Sequence, residues 1–143
     1  SLSGKVATVG AGATVYFLGL TSTEETHFRA GNITSTGSPL DVFLYEDSTY
    51  SATGAALTGL NRNRESVAVA TFLTYAGPTI TALGTQLEYG LIPTAGPKGG
   101  GLADLFGTEW ILKPNTTYSM SMTNNDAQAV DIGYNFLWYE GEV

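Results

Sequence analysis

The chain has 143 residues, of which 43% are hydrophobic and only 13% charged, a balance that indicates one folded domain and excludes a disordered chain. Its formal net charge of −7 argues against nucleic acid and against an anionic membrane as partners, because both require a basic surface. It has no cysteine, so thiolate catalysis, disulfides and cysteine-ligated zinc are excluded.

The first residues are small and rich in glycine, with Val6 and Val9 as the main apolar side chains. This composition predicts an extended N-terminal arm over residues 1–12, followed by a β-sandwich domain over residues 13–143. The arm lacks the long apolar stretch of a signal peptide, and serine at the first position predicts ordinary processing of a protein made in the cytoplasm. We expect Lys5, Val6 and Val9 to contact a neighbouring subunit.

Apolar and polar residues alternate with period two in much of the chain, which predicts strands and not helices. Turns rich in glycine, proline and acidic residues separate the candidate strands. In chain order, these candidates are Ala13–Leu18, Thr26–Ile33, Leu40–Tyr45, Ser66–Tyr75, Thr79–Leu83, Gln86–Ile92 and Glu109–Lys113.

Two further segments, residues 117–123 and 130–138, show the most regular alternation. Their apolar faces consist of Tyr118, Met120 and Met122 in the first, and Val130, Ile132, Tyr134, Phe136 and Trp138 in the second. A polar cluster at residues 124–128 separates them and predicts a turn, so we expect one long antiparallel hairpin. Leu137 and Tyr139 interrupt the polar face, which predicts a second buried surface such as a subunit contact.

Roughly eight to ten closely spaced strands predict a single all-β domain, an antiparallel β-sandwich of jelly-roll or Greek-key type. Residues 93–107 form a loop rich in glycine and proline, with one helical turn expected near its end, and long loops in compact domains are usually functional. Candidate partner contacts in this loop and in the basic cluster before Glu65 are Lys98, Leu102, Phe106, Arg62 and Arg64.

No catalytic or metal site is predicted. His27 is the single histidine, and without a Gly-x-Ser-x-Gly motif we expect it to be a surface or interface residue. Together with Glu24 and Glu25 it supplies too few ligands for a zinc site. The polar loops at residues 46–47 and 124–126 lack the ligand pattern of a calcium site, so we expect no cofactor.

Four motifs carry a resemblance to a known family. They lie at residues 42–47, at 59–64 with Gly-Pro-Thr-Ile-Thr at 77–81, at 109–118, and at 122–125 leading to 136–140. The most distinctive are Leu-Lys-Pro-Asn-Thr-Thr-Tyr at 112–118 and Trp-Tyr-Glu at 138–140. In these motifs the chain resembles the small bacteriophage virion proteins described as head decoration, cement or auxiliary capsid proteins.

The resemblance implies a β-sandwich or jelly-roll domain on the exterior of an icosahedral head. It implies a homotrimer that binds adjacent subunits of the major capsid protein and stabilises the head lattice. It implies no catalytic residue and no cofactor. Residues 1–25 lie outside the matching motifs, so any role for the arm rests on its composition.

Two other functions stay open. A phage tail or fibre module that binds a host surface glycan would use exposed aromatic residues such as Tyr50, Tyr75, Tyr89 or Tyr139. A hydrolase that uses a carboxylate pair is the third alternative, because thirteen acidic residues always permit some pair.

Overall fold

A computed structural model describes residues 1–37, 39–93 and 109–141, together with the backbone of residues 100–102. Within these ranges the chain forms strands and turns, and no helix long and apolar enough to cross a membrane is found. The strands are β1 (Leu2–Val9), β2 (Thr14–Leu20), β3 (Thr26–Arg29), β4 (Ile33–Ser35), β5 (Leu40–Glu46), β6 (Thr49–Ala52), β7 (Ala55–Leu57), β8 (Leu73–Ala76), β9 (Thr79–Ala82), β10 (Thr85–Ile92), β11 (Gly100–Leu102), β12 (Trp110–Leu112), β13 (Thr117–Asn124) and β14 (Val130–Glu140).

The first sheet is built around the long strand β14. Strand β1 pairs with one edge of β14, and β3 and β4 follow one another along the other edge, from Thr26 opposite Glu140 to Ser35 opposite Ile132. Strands β12 and β11 extend this side by pairing with β3 and β4 respectively. All of these pairs are antiparallel.

The second sheet has the order β10-β5-β13-β2-β8-β7 and is also antiparallel. A long two-stranded ribbon runs through this part of the fold, in which β5 pairs with β10, β6 with β9 and β7 with β8. Glu46 lies opposite Thr85 in the first pair, and Ala55 opposite Ala76 in the last. One end of the ribbon pairs with β13 and the other with β2. The predicted all-β antiparallel sandwich with non-sequential strand order is therefore confirmed.

The core lies between the two sheets and is formed by alternate side chains. Ile132 and Phe136 of β14 are buried, as are Met120 and Met122 of β13. The ring of Phe17 packs edge-on against that of Phe136, with centroids 5.3 Å apart. Each such side chain stabilises the fold by about 1.5–3 kcal/mol when it leaves water, so the two apolar faces hold the sheets together.

The predicted hairpin between residues 117–123 and 130–138 is wrong. Both segments are strands with the predicted inward faces, but β13 pairs with β2 and β5 in one sheet, whereas β14 belongs to the other. Residues 125–129 therefore cross from one sheet to the other. The physical reason is that the two apolar faces cover each other across the core, which a flat hairpin would not allow.

The buried side chain of Asn124 fixes this crossing. Its amide nitrogen donates to the carbonyl oxygens of Val9 at 2.9 Å, Gly10 at 3.1 Å and Gln128 at 2.8 Å. Its carbonyl oxygen accepts a hydrogen bond from the backbone N–H of Asp126 at 2.8 Å. One side chain thus joins the end of β1, the end of β13 and the start of β14.

The structure also corrects the prediction of a free arm over residues 1–12. Strand β1 is an edge strand of the first sheet, and Leu2 and Val9 are buried in the core. A bulge between Val6 and Val9, with Thr8 at a positive φ of 56°, shifts the alternation by one residue and turns Val9 inward. The expected boundary between residues 12 and 13 therefore does not separate an arm from a domain.

Two further predictions concern loops and strands. Of the predicted strand Ser66–Tyr75, only residues from Leu73 onward pair, in β8. Strands β1, β6, β7 and β11 were not predicted. The predicted loop 93–107, with its helical turn, lies outside the described residues except for Pro93 and the backbone of residues 100–102.

Candidate functional site

Residues 58–71, which make up all but the last residue of the connection between β7 and β8, are the most unusual surface feature in the described part of the chain. We call them the 58–71 segment. At its first end, Leu60 exchanges backbone hydrogen bonds with Ser1, at 2.7 and 2.8 Å, and Gly59 lies so close to Trp138 that an added Cβ would be 2.5 Å from the indole. This end is therefore held against the first sheet.

The second end of the segment is held by Glu140. The carboxylate of Glu140 accepts hydrogen bonds from the backbone N–H of Thr71 at 2.8 Å, from its hydroxyl at 2.9 Å and from the backbone N–H of Phe72. The buried ring of Phe72 packs edge-on against Trp138, with centroids 5.4 Å apart. Both ends are thus fixed to the β14 side of the sandwich.

Between these anchors the segment exposes apolar side chains. Val67 is 96% exposed, Val69 is 85% exposed and Leu60 is 58% exposed. Single exposed apolar residues are normal on protein surfaces, but two valines this exposed on one short segment are unusual. Arg62 and Arg64 lie on the same segment, which thus carries two of the six basic residues of an acidic protein.

A groove of about 790 Å³ lies between the 58–71 segment and the ends of β3 and β14. Its walls include Val69 and Leu60 from the segment, and Leu137, Trp138 and Tyr139 from β14. By contrast, the space inside the core amounts to about 40 Å³, near the volume of one water molecule, and could not hold a substrate. The groove is therefore the larger concave surface of the two.

His27 lies on the groove wall and is held by two carboxylates. Its Nδ1 is 2.8 Å from Glu109 Oε1 and its Nε2 is 2.7 Å from Glu25 Oε1. The ring of Tyr139 stacks on the imidazole, with centroids 4.5 Å apart, and its hydroxyl donates to Glu109 at 2.7 Å. The His27 side chain is only 7% exposed, so of the two expected positions, surface or interface, the first is wrong and the second stays a prediction.

These contacts shift the proton equilibria of the cluster. The hydrogen bond to Glu109, followed by that to Glu25, raises the pKa of His27 above its ordinary value. Hydrogen bonds from Tyr139 and then from His27 lower the pKa of Glu109. Both ring nitrogens face carboxylate oxygens, an arrangement that favours the protonated imidazole, so the contribution of the cluster to stability depends on pH.

We expect this contribution to decline above neutral pH. A histidine whose pKa is raised in the folded state contributes its full stabilisation below pH 6.5, the pKa of the unfolded state. It loses that contribution as the pH rises through the pKa of the folded state. Glu109 contributes its full stabilisation above pH 4.5, the pKa of the unfolded state. It loses that contribution as the pH falls through its lowered pKa in the folded state. Both contributions are fully present between pH 4.5 and 6.5, so the ion pair stabilises the protein most in that range.

Thermal unfolding measured across this range tests the expectation. The melting temperature of His27→Gln should differ most from that of the unchanged protein between pH 4.5 and 6.5, and the difference should shrink at higher pH. A difference that stays constant across the series would mean that His27 contributes by packing and not by charge.

The cluster does not form a metal site. The two carboxylates bind opposite nitrogens of the same ring, so they do not converge on one point. In the described ranges no group of three or more histidine, aspartate or glutamate side chains is placed to hold a metal ion. The carboxylate oxygen of Glu109 nearest the ring is already shared by His27 and Tyr139, which leaves it engaged within the protein.

Several predicted contact residues lie away from this site. Val9 is buried in the core and cannot contact a partner, and Val6 packs partly against the core. Lys5 is exposed and forms an ion pair with Asp131, with 3.5 Å between Nζ and Oδ2. The physical reason is that β1 belongs to the first sheet, so its apolar side chains pack against the core.

The other predicted contacts divide into two groups. Arg62, Leu137 and Tyr139 line the groove, and Arg64 lies on the 58–71 segment, where its guanidinium donates to the backbone oxygen of Asn61 at 3.4 Å. The others lie outside what is described: Lys98 and Phe106 entirely, and Leu102 beyond its backbone in β11.

Most of the residues that build the site cannot be identified from the sequence. Val67 and Val69 alternate and are β-branched, which predicts the strand Ser66–Tyr75, but the same pattern is equally compatible with exposed valines. Glu109 and Glu140 belong to the motifs at 109–118 and 136–140, but the sequence does not indicate what they bind, because they lie 82 and 68 residues from His27 and Phe72.

Comparison with known proteins gives no family. No protein-family model and no curated protein matches the chain. Among solved structures, the chain is weakly similar to TmCBM61 in complex with β-1,4-galactotriose, with 12% identity and a TM-score of 0.20. That alignment covers 96% of this chain and 60% of the other, so the chain spans less than two thirds of that protein's length.

Proposed function

We propose that the protein is a structural virion protein that binds the outer surface of a phage capsid and stabilises the head lattice. The 58–71 segment is the observation that supports a binding role most strongly. It presents Val67 and Val69 almost wholly to solvent while both of its ends are anchored. A surface that is already fixed in position loses little conformational entropy on binding, which favours affinity.

The choice of a capsid protein as partner rests on the sequence motifs that resemble head decoration proteins. Two of these motifs overlap the site: residues 59–64 lie near the start of the 58–71 segment, and residues 137–140 form part of the groove wall. The same resemblance leads us to propose a homotrimer on the virion exterior that has no catalytic step.

Such a protein stabilises the shell by mass action. A molecule that binds the assembled lattice but not free subunits shifts the equilibrium toward the lattice, in proportion to its concentration and affinity. Because many copies bind one head, a modest affinity at each contact gives the shell a large total stabilisation.

Co-sedimentation with purified heads that lack the protein tests this proposal. We expect saturable binding to heads and none to isolated tails. Binding to tails alone, or no binding at any concentration below about 1 mM, would contradict it. Deletion of residues 1–12 is not a clean test, because it removes β1 from the sheet and should unfold the domain.

A further inference from the structure

A second surface lies on the outer face of the other sheet, on the neighbouring strands β5 and β10. Three aromatic side chains form a continuous row there, which we call the aromatic strip: Phe43, Tyr45 and Tyr89. The ring centroids of Phe43 and Tyr89 are 4.8 Å apart, and those of Phe43 and Tyr45 are 5.9 Å apart. Tyr89 is 46% exposed, and the other two are partly exposed.

The three rings pack against one another, and each of them is partly exposed. The planes of Phe43 and Tyr45 are inclined by 23°, and those of Phe43 and Tyr89 by 31°. At centroid distances of 5.9 and 4.8 Å such rings overlap only in part, so each keeps some aromatic surface that its neighbour does not cover.

Polar groups border one end of the strip. The hydroxyl of Tyr89 donates to Asp41 Oδ1 at 2.7 Å, and the side-chain amide of Asn125 donates to Asp41 Oδ2. These bonds fix the Tyr89 ring in its orientation. They also place a hydroxyl, a carboxylate and an amide beside the open rings, all of them at exposed positions.

We propose that the aromatic strip binds a neutral oligosaccharide. A sugar ring has an apolar face of C–H groups that packs on aromatic surface, and hydroxyls at its edge that exchange hydrogen bonds with groups such as those of Asp41 and Asn125. The sugar should be neutral, because Asp41 lies at the strip and the protein carries a net charge of −7. The strip does not include the 58–71 segment, so this activity is additional to capsid binding and independent of it.

Titration of the ¹⁵N-labelled protein with short neutral hexose oligosaccharides tests the proposal. We expect shift changes confined to the backbone amides around Phe43 and Tyr89, with a dissociation constant of about 0.1–1 mM. Oligosaccharides of uronic acids should bind at least about tenfold more weakly, since like charges oppose their approach. Tyr89→Ala should weaken binding about tenfold or more, whereas Tyr89→Phe, which keeps the ring, should weaken it less.

Tyr50 provides a matched control. The sequence alone offers Tyr50 as well as Tyr89 for glycan binding, but Tyr50 lies on β6 and outside the strip, so Tyr50→Ala should leave sugar binding unchanged if the strip is the binding site. The proposal is overturned if no neutral sugar binds, if Tyr50→Ala and Tyr89→Ala weaken binding equally, or if Tyr89→Ala instead abolishes self-association of the protein. A circular dichroism spectrum of each variant shows that it is folded.

Discussion

Replacement of both exposed valines by aspartate, Val67→Asp with Val69→Asp, should lower the affinity for heads about a hundredfold or more without destabilising the protein. A valine that is buried on binding contributes about 1.5–3 kcal/mol, and an aspartate in its place leaves an unpaired charge at the interface. In the free protein both positions are already in water, so the unfolding free energy should change by less than about 0.5 kcal/mol. Co-sedimentation and chemical denaturation measure the two quantities.

Leu83→Asp provides the control for this variant. Leu83 is an exposed apolar residue at the turn between β9 and β10, outside the 58–71 segment, and its replacement should leave head binding intact. Equal loss of binding in both variants would show that added negative charge matters and that the position does not. Unchanged binding of the double variant would show that the 58–71 segment does not contact the head.

Asn124→Ala should cost about 3–5 kcal/mol of unfolding free energy. The substitution leaves the carbonyl oxygens of Val9, Gly10 and Gln128 without their side-chain donor, and each buried polar group left unsatisfied costs about 1–3 kcal/mol. For a domain of this length the melting temperature should fall by about 10–20 °C. Thermal and urea denaturation measure the loss.

The adjacent Asn125 supplies the comparison. Its side chain forms an exposed hydrogen bond with Asp41, so Asn125→Ala should cost less than about 1 kcal/mol. If the two substitutions destabilise the protein equally, Asn124 does not fix the crossing between the sheets, and the connection from β13 to β14 owes its path to packing alone.

Alternation in the sequence predicted the faces of the strands well but not their partners. Residues 117–123 and 130–138 each turn the predicted side chains inward. Period two identifies the buried face of a strand, but it does not determine whether the next strand joins the same sheet or covers it from above. That choice depends on contacts between distant parts of the chain, such as the hydrogen bond from Asn124 to Val9 at a separation of 115 residues.

Other features of the fold could not be predicted from alternation in the sequence. In β1 the bulge after Val6 breaks the period, so the inward positions of Leu2 and Val9 do not follow one alternation. In the 58–71 segment the alternation is regular, but within the described part of the chain Val67 and Val69 pair with no strand, and both stay in solvent. Burial is a property of the neighbours a segment acquires, and those are set by the whole fold.

The candidate site shows the same limit. Arg62, Leu137 and Tyr139 were predicted as contacts and do line one groove. The interactions that shape it, from Glu109 to His27 and from Glu140 to Phe72, join residues distant in the chain. Composition excludes a reactive thiol, but the sequence alone could not show that the 58–71 segment is anchored at both ends.

Electron cryomicroscopy of intact particles that carry this protein tests the central claim most directly. The account predicts density for a β-sandwich on the outside of the head, repeated with the lattice, in which Val67 and Val69 contact the shell. Density on the tail alone, or on the head with the 58–71 segment facing solvent, would contradict it.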